Sequence, residues 1–301
     1  MSLLDRFTDK YFPVTKPYHL QLDTTTVCNL GSCVYCNPHL LWARKPESMP
    51  DKMIMQILGD ASRFESIRQI RPYVNGDPLA EPRMKWILSE CKRYMPEAKT
   101  VLYTNGADYV HIDRITDPNL DELHISVSAA TPETYLKIHG KPFLGEVVKT
   151  HREALRRGVK TWVHFIMCRD NAHELEAWRE LFAGCPQNVS DVHVSVEQAA
   201  SSGKRISGVP ETTMNAQKIT PNCACNCWNN LSIGVHGEIM LCPDSDYRWN
   251  AGMYPQTSLK SGWRKKLELG LSTPPCNSCS LRSSDWRRRV AYSQLGVALA
   301  G

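Results

Sequence analysis

The chain has 301 residues, of which 42% are hydrophobic and 22% charged, with a formal net charge of +5. That length allows one large core with a smaller appended module, and no apolar stretch approaches the roughly 20 residues of a membrane span. The basic residues concentrate late, in 262–266 and 285–290, and are not interleaved with aromatics as a nucleic-acid stacking platform requires, so neither a membrane nor a nucleic-acid role is expected.

The chain opens MSLLDRFTDKYFP, with an acidic residue at position five and no apolar run of signal-peptide length. Its twelve cysteines therefore read as metal ligands in a reducing cytoplasm rather than as a disulfide framework. Residues 1–17 form an N-terminal extension and YHLQLD (18–23) the first strand. Directly after it, TTTVCNLGSCVYCNP places Cys28, Cys33 and Cys36 within nine residues. So compact a triplet grips one metal centre. Three thiolates do not complete a four-thiolate site, and a cubane held this way keeps one iron open to a non-protein ligand. A zinc site would need His39 as its fourth ligand, although structural zinc sites more commonly draw on two separated ligand pairs.

Five further strands are expected: IRQIRPYV (67–74), KTVLYT (99–104), DELHISVS (121–128), KTWVHFIM (160–167) and DVHVSVE (191–197). Amphipathic segments lie between them at 51–64, 82–95, 131–140, 146–158 and 173–182. Strands alternating with helices imply parallel βαβ units, and six such units over residues 18–200 predict an α/β fold, a partial (β/α)6 TIM-like barrel. In that architecture functional residues gather at the carboxyl ends of the strands. The cysteine triplet follows strand one, Asn75-Gly76-Asp77-Pro78 follows strand two, and Thr104-Asn105-Gly106 ends strand three. Ser126 and Ser128 close strand four, and Asn171 follows strand five. Cys91, Cys168 and Cys185 read as small packing residues.

Residues 201–220, rich in Ser, Gly and Thr, read as a linker, and residues 221–301 as a small C-terminal β-hairpin and helix module. It opens with Cys223, Cys225 and Cys227; LSIGVHGEIML (231–241) forms the hairpin, turning at His236-Gly237, and Cys242 follows. Cys276 and Cys279 make a CxxC. Cys225 or Cys227 with Cys242, Cys276 and Cys279 supplies four thiolates, enough to enclose a zinc ion or an iron–sulfur cluster.

These motifs resemble those of the radical S-adenosylmethionine (SAM) enzymes. CNLGSCVYC is one residue longer than the usual CxxxCxxC of that family, VNGDP resembles its second-strand GGEP, and YTNGADY its third-strand TNG segment. LDELHISVSAATPETYLKIHG is similar to the passage from strand four into its helix, and FIMCRDNAHELE to the end of strand five. The resemblance implies that Cys28, Cys33 and Cys36 bind a [4Fe–4S] cluster whose open iron is chelated by SAM. Tyr35 would pack near the adenine, Asn75, Gly76 and Asp77 would meet the SAM amino group, and Ser126 or Ser128 would approach its ribose and carboxylate. Asn105 and Asn171 complete the implied cofactor-binding set. The C-terminal module resembles the auxiliary-cluster module called SPASM in its shorter, twitch-like form, implying one auxiliary [4Fe–4S] cluster. Cys223, not spent on iron, would be the hydrogen-atom donor of an epimerase.

The implied chemistry is cleavage of SAM, on reduction by a flavodoxin- or ferredoxin-type donor, to a 5′-deoxyadenosyl radical that abstracts hydrogen from a substrate C–H bond. About 17 residues ahead of strand one leave little room for a leader-peptide-binding domain, so a small sugar- or aminocyclitol-like substrate, epimerised or dehydrogenated, is expected before a ribosomal peptide. His39, Arg71, Glu81 and Glu197 are candidate substrate contacts. The competing class is a non-catalytic zinc or iron–sulfur protein, which leaves the strand-end motifs without a reason.

Overall fold

The computed structural model describes residues 16–36, 46–168, 170–191, 229–243 and 250–269. The first strand, β1 (His19–Leu22), leads through the cysteine loop to helix α1 (Asp51–Ala61), then β2 (Gln69–Arg71) and α2 (Met84–Tyr94). β3 (Lys99–Thr104), β4 (Glu122–Ser126), α3 (Pro132–His139), α4 (Leu144–Arg156), β5 (Thr161–Met167), α5 (Leu175–Leu181) and β6 (Gln187–Asp191) follow. After residues outside the description come β7 (Asn230–Ile233), β8 (Glu238–Met240), β9 (Asn250–Met253) and α6 (Leu259–Leu269).

All the strands join one sheet in the order β6-β5-β4-β3-β2-β1-β7-β8-β9. Neighbours from β6 through β1 to β7 are parallel, and β8 and β9 continue antiparallel. Among the described residues the sheet does not close on itself, as expected of a partial barrel. The hairpin of the C-terminal region is thus an extension of the barrel's own sheet, docked on β1 in the register His19–Asn230 to Leu22–Ile233.

Several strand bounds differ from expectation: β4 ends at Ser126 rather than residue 128, and β9 is not among the expected strands. β2 stops at Arg71 rather than residue 74 because Pro72 has no N–H to donate to a ladder. β6 begins at Gln187, four residues ahead of the expected start, and residues 192–197 lie outside the described chain. Between β3 and β4, where no element is expected, a 3₁₀ segment covers Tyr109–Arg114.

Strand alternation separates two faces. On one, Leu22, Leu102, Leu123, Ile125, Val163 and Phe165 are fully buried and pack with Val147 of α4 and Trp178 of α5. The other face carries Gln21, Arg71, Tyr103, His124, Ser126, Trp162, His164 and Asn188, set side by side by the register. The helices cover the apolar face, so the polar one is the inner face of the partial barrel.

Helix α3 shows how local sequence positions the site. Thr131 caps its start, the side-chain oxygen accepting from the Thr134 N–H, and Pro132 occupies the first turn. Gly140 ends it at φ +75°, where a Cβ would also lie 2.3 Å from Ser32 Oγ. Only glycine permits both the left-handed turn and the approach of the cysteine loop.

Candidate active site

The loop bearing Cys28, Cys33 and Cys36 is stitched to the carboxyl ends of the neighbouring strands. Against the end of α3, Val34 N–H donates to Ile138 O (2.9 Å) and Ser32 Oγ to His139 O (2.8 Å). Lys141 Nζ donates to Asn29 O at 2.6 Å. On the other side the Asp77 N–H donates to Val27 O at 2.8 Å. Gly76 passes so close that a Cβ there would sit 2.1 Å from Thr25 O; the glycine is demanded by contact with the cysteine strand.

Asn75 and Asp77 shape this turn through hydrogen bonds to buried partners. Asp23, which is fully buried, takes the Asn75 backbone N–H at 3.0 Å and its Nδ2 at 2.8 Å. Asp77, also buried, accepts from Leu79 N (2.9 Å), Thr104 Oγ1 (2.8 Å) and Asn105 N (2.7 Å). Burial pushes its carboxyl pKa up, while these donors oppose the shift. Its carboxylate is therefore an internal brace joining the β2 and β3 loops, and what this turn offers outward is its backbone.

Asn105 extends the brace to the cysteines. Its Nδ2 donates to Asn29 Oδ1 (2.8 Å) and approaches Cys28 Sγ at 3.6 Å, and its Oδ1 accepts from Ala107 N (2.8 Å). Burial raises the Cys28 thiol to about 11, so metal binding at this loop must displace protons. On the far side of the loop, Cys33 Sγ lies 3.3 Å from His139 Nδ1. His139 is only 1% exposed, and burial lowers its pKa to about 3. Its Nε2 accepts from Ser128 N at 3.2 Å.

The two serines separate. Ser126 is half-buried on the inner face, in register with His164. Ser128 is fully buried and serves as a hub: its Oγ accepts from Ile166 N (3.0 Å) and meets the Tyr35 hydroxyl at 3.3 Å. Tyr35 thus turns its hydroxyl inward, toward Ser128 and His139. Asn171 is fully buried, its Nδ2 donating to Ser128 O and Ile166 O and its Oδ1 accepting from Cys168 N. It fixes the shape of the loop after β5, and its amide groups point into that brace. Glu81 is likewise buried, paired with Arg83 at 2.7 Å, and does not line the inner face as a substrate contact would. Cys91 and Cys168 are buried as expected of packing residues, and Cys185 is half-buried beside His151 Nε2 at 3.3 Å.

Below this rim the inner face is polar and aromatic. His124 stacks on Tyr103 with centroids 4.1 Å apart and planes at 12°. His124 Nδ1 and His164 Nε2 are 2.7 Å apart, and Asn188 Nδ2 donates to His164 Nδ1 at 3.1 Å. The Arg71 guanidinium lies 5.7 Å from the Tyr103 ring centre. Burial lowers both histidines to about 4, so the pair is neutral at physiological pH.

Residues 22–182 match the Radical SAM superfamily, more than half of the chain. The chain belongs to the radical SAM superfamily. Among curated proteins it is similar to GTP 3′,8-cyclase of Paenarthrobacter nicotinovorans, 29% identical over 132 residues, covering 43% of this chain and 37% of the relative. It is also similar to a probable GTP 3′,8-cyclase of Pyrococcus horikoshii, 28% identical over 184 residues, covering 60% of this chain and 55% of the relative. The chain thus spans about half the length of the curated relatives it matches. Three solved structures share the fold. BtrN in complex with AdoMet and 2-DOIA has a TM-score of 0.52 at 13% identity, covering 87% of this chain and 92% of that one. Streptococcus suis SuiB bound to its precursor peptide SuiA has a TM-score of 0.61 at 13% identity, covering 92% and 73%. For anSMEcpe with bound AdoMet the TM-score is 0.59 at 15% identity, covering 90% and 84%.

Membership in the radical SAM superfamily implies a [4Fe–4S] cluster and SAM, and the donor set of the cysteine loop suits such a cluster. Among the described residues no three Cys, His, Asp or Glu side chains converge as one mononuclear ion requires. A cubane asks for something else, three neighbouring thiolates that each reach a different iron, and one loop supplies them. The described part of the C-terminal region is the hairpin. Its register, Ser232 with Met240, places Cys242 beside Asn230, and Asn230 pairs with His19 at the amino end of β1. Cys242 therefore lies at the opposite end of the strands from Cys28, Cys33 and Cys36. Cys223, Cys225, Cys227, Cys276 and Cys279 lie outside the described residues, as do His39 and Glu197. Among the described residues no helix is long and apolar enough to cross a membrane.

Sequence reasoning missed Asp23 and His139. A buried acid directly after an apolar strand, and a histidine immediately before the glycine that ends α3, were the available signals.

Proposed function

We propose that this chain binds a [4Fe–4S] cluster through Cys28, Cys33 and Cys36, cleaves SAM reductively and abstracts hydrogen from a C–H bond of a small polar substrate. The observation that carries this reading is the cysteine loop held between the Asp77–Asn105 brace and the end of α3, directly above a polar inner face. Bound there, the cluster and SAM supply a 5′-deoxyadenosyl radical, and the hard chemistry is theirs. The chain's part is to hold and align. The Asn75-Gly76-Asp77 backbone would meet the amino group of SAM, Tyr35 and Ser126 would border its adenosine, and the braced loops would hold the reacting C–H in place.

The inner face favours a substrate rich in hydroxyl or amino groups, since Arg71, Ser126 and Asn188 carry donors and acceptors there and the His124–His164 pair forms a polar aromatic wall between them. We assign a sugar- or aminocyclitol-like compound, epimerised or dehydrogenated, with a flavodoxin- or ferredoxin-type protein as electron donor. The C-terminal cysteines, Cys225 or Cys227 with Cys242, Cys276 and Cys279, would hold an auxiliary [4Fe–4S] cluster. The curated GTP 3′,8-cyclases favour a second reading, a purine nucleotide on the same inner face, for which the Tyr103–His124 stack offers aromatic surface. One experiment separates the two: anaerobic protein with SAM and reductant is given aminocyclitols, sugars, or GTP, and 5′-deoxyadenosine is measured. A rise only with GTP overturns the sugar assignment; no 5′-deoxyadenosine under any condition overturns the radical SAM activity itself.

A further inference from the structure

His139 sits between the buried Ser128 hub and the cysteine loop, and its hydrogen bonds determine where its proton lies. The Ser128 main-chain N–H can only donate, and it donates to Nε2 at 3.2 Å. Nε2 is therefore a lone pair, and the ring's proton must be on Nδ1. That atom faces Cys33 Sγ at 3.3 Å, an ordinary N–H···S distance, with the Tyr35 hydroxyl further off at 3.5 Å. The ring has little freedom to turn away. Tyr135 stacks on it with centroids 4.3 Å apart, Tyr35 meets it edge-on at 5.8 Å, and its main-chain carbonyl is held by Ser32 Oγ.

We infer that His139 is a positioning residue that donates an Nδ1–H···S hydrogen bond to the Cys33 ligand and thereby raises the reduction potential of the SAM-binding cluster. The physical reason is general: a donor to a ligating sulfur withdraws electron density from it and stabilises the added electron of the reduced cluster. The same ring, through Nε2 and Ser128, reaches the hub formed by Tyr35, Ile166 and Asn171. A shift in that hub is thus carried to a cluster sulfur by one rigid imidazole. Asn105 is the weaker counterpart on Cys28, at 3.6 Å.

This inference rests on the cluster assignment, and its test distinguishes the two. Protein labelled with [15N]histidine is reduced without SAM, and the cluster's EPR and HYSCORE spectra are recorded beside a redox titration. The expected result is a 15N coupling on the triplet's cluster. In His139→Asn, whose amide nitrogen takes the place of Nδ1, the cluster should remain, the 15N coupling should vanish and the potential should stay near wild type. In His139→Phe the potential should shift negative, while any signal from the C-terminal cysteines keeps its potential and serves as the internal reference. If His139→Phe does not retain its cluster, the wild-type and His139→Asn spectra decide. A triplet cluster with no histidine 15N coupling, a coupling that persists in His139→Asn, or an unshifted His139→Phe potential would overturn the role of His139. Absence of any triplet cluster would overturn the cluster assignment along with it.

Discussion

On the helix side of the sheet, Leu102, Leu123, Ile125, Val163 and Phe165 are fully buried, whereas one step along the same strands come Tyr103, His124, Ser126, Trp162 and His164. A strand alternates its side chains, so the same twenty or so residues write two surfaces of opposite character. The difference shows where stability and recognition are kept. The apolar face carries the core; the polar face is left to bind something polar, and the strands' carboxyl ends hold the groups that would act on it.

The largest expected effect comes from the apolar face. Phe165→Ala should cost about 3–5 kcal/mol, the range for emptying a large buried aromatic site. Chemical denaturation should show it directly, and a loss under about 1 kcal/mol would mean that the two faces do not divide in this way. Loss at the polar face should look different. His164→Ala should leave the unfolding free energy within about 1 kcal/mol of wild type while substrate-dependent formation of 5′-deoxyadenosine falls at least about tenfold, equivalent to about 1.4 kcal/mol. Equal turnover by variant and wild type would remove His164 from the proposed substrate-binding face.

At the rim, Asp77→Ala removes the acceptor of three hydrogen bonds and frees the Asn105 backbone. SAM affinity should weaken severalfold by calorimetry while iron content stays the same. Unchanged affinity would reduce Asp77 to a turn residue.

The smallest effect is a pH dependence. Folding lowers His124 and His164 from 6.5 to about 4, chiefly by burial. Between those values the unfolded chain binds more protons than the native one, so their contribution is complete above pH 6.5 and is lost as pH falls toward 4. Apoprotein melting temperature should decline across that window, and the decline should be shallower in His164→Gln. An equally steep decline in that variant would place the acid sensitivity elsewhere.

Much of this arrangement was legible from local pattern. β3, β4 and β5 fall where alternation puts them, and the Thr131-Pro132 start and Gly140 end of α3 follow from capping chemistry. The cysteine spacing marked the site. What escaped was set by contacts distant in sequence. The parallel pairing of β7 with β1 joins residues 211 apart, and no local period records it. Ser126 and Ser128, two apart, read as equivalent on one face, yet β4 ends at Ser126 and Ser128 turns into the packing behind Tyr35. Asp23 and His139 read as an ordinary strand end and helix end. Their importance appears only when Asn75 and Cys33 arrive beside them.

The most direct test compares anaerobically prepared wild-type protein with the Cys28/Cys33/Cys36→Ala variant for iron and for 5′-deoxyadenosine. Wild-type protein should be brown, with about eight irons per chain, four per cubane. The triple variant should keep about half of them in the C-terminal site and form no 5′-deoxyadenosine. Colourless wild-type protein holding zinc, or 5′-deoxyadenosine formed at the wild-type rate by the triple variant, would contradict the assignment of these three cysteines to the SAM-binding cluster.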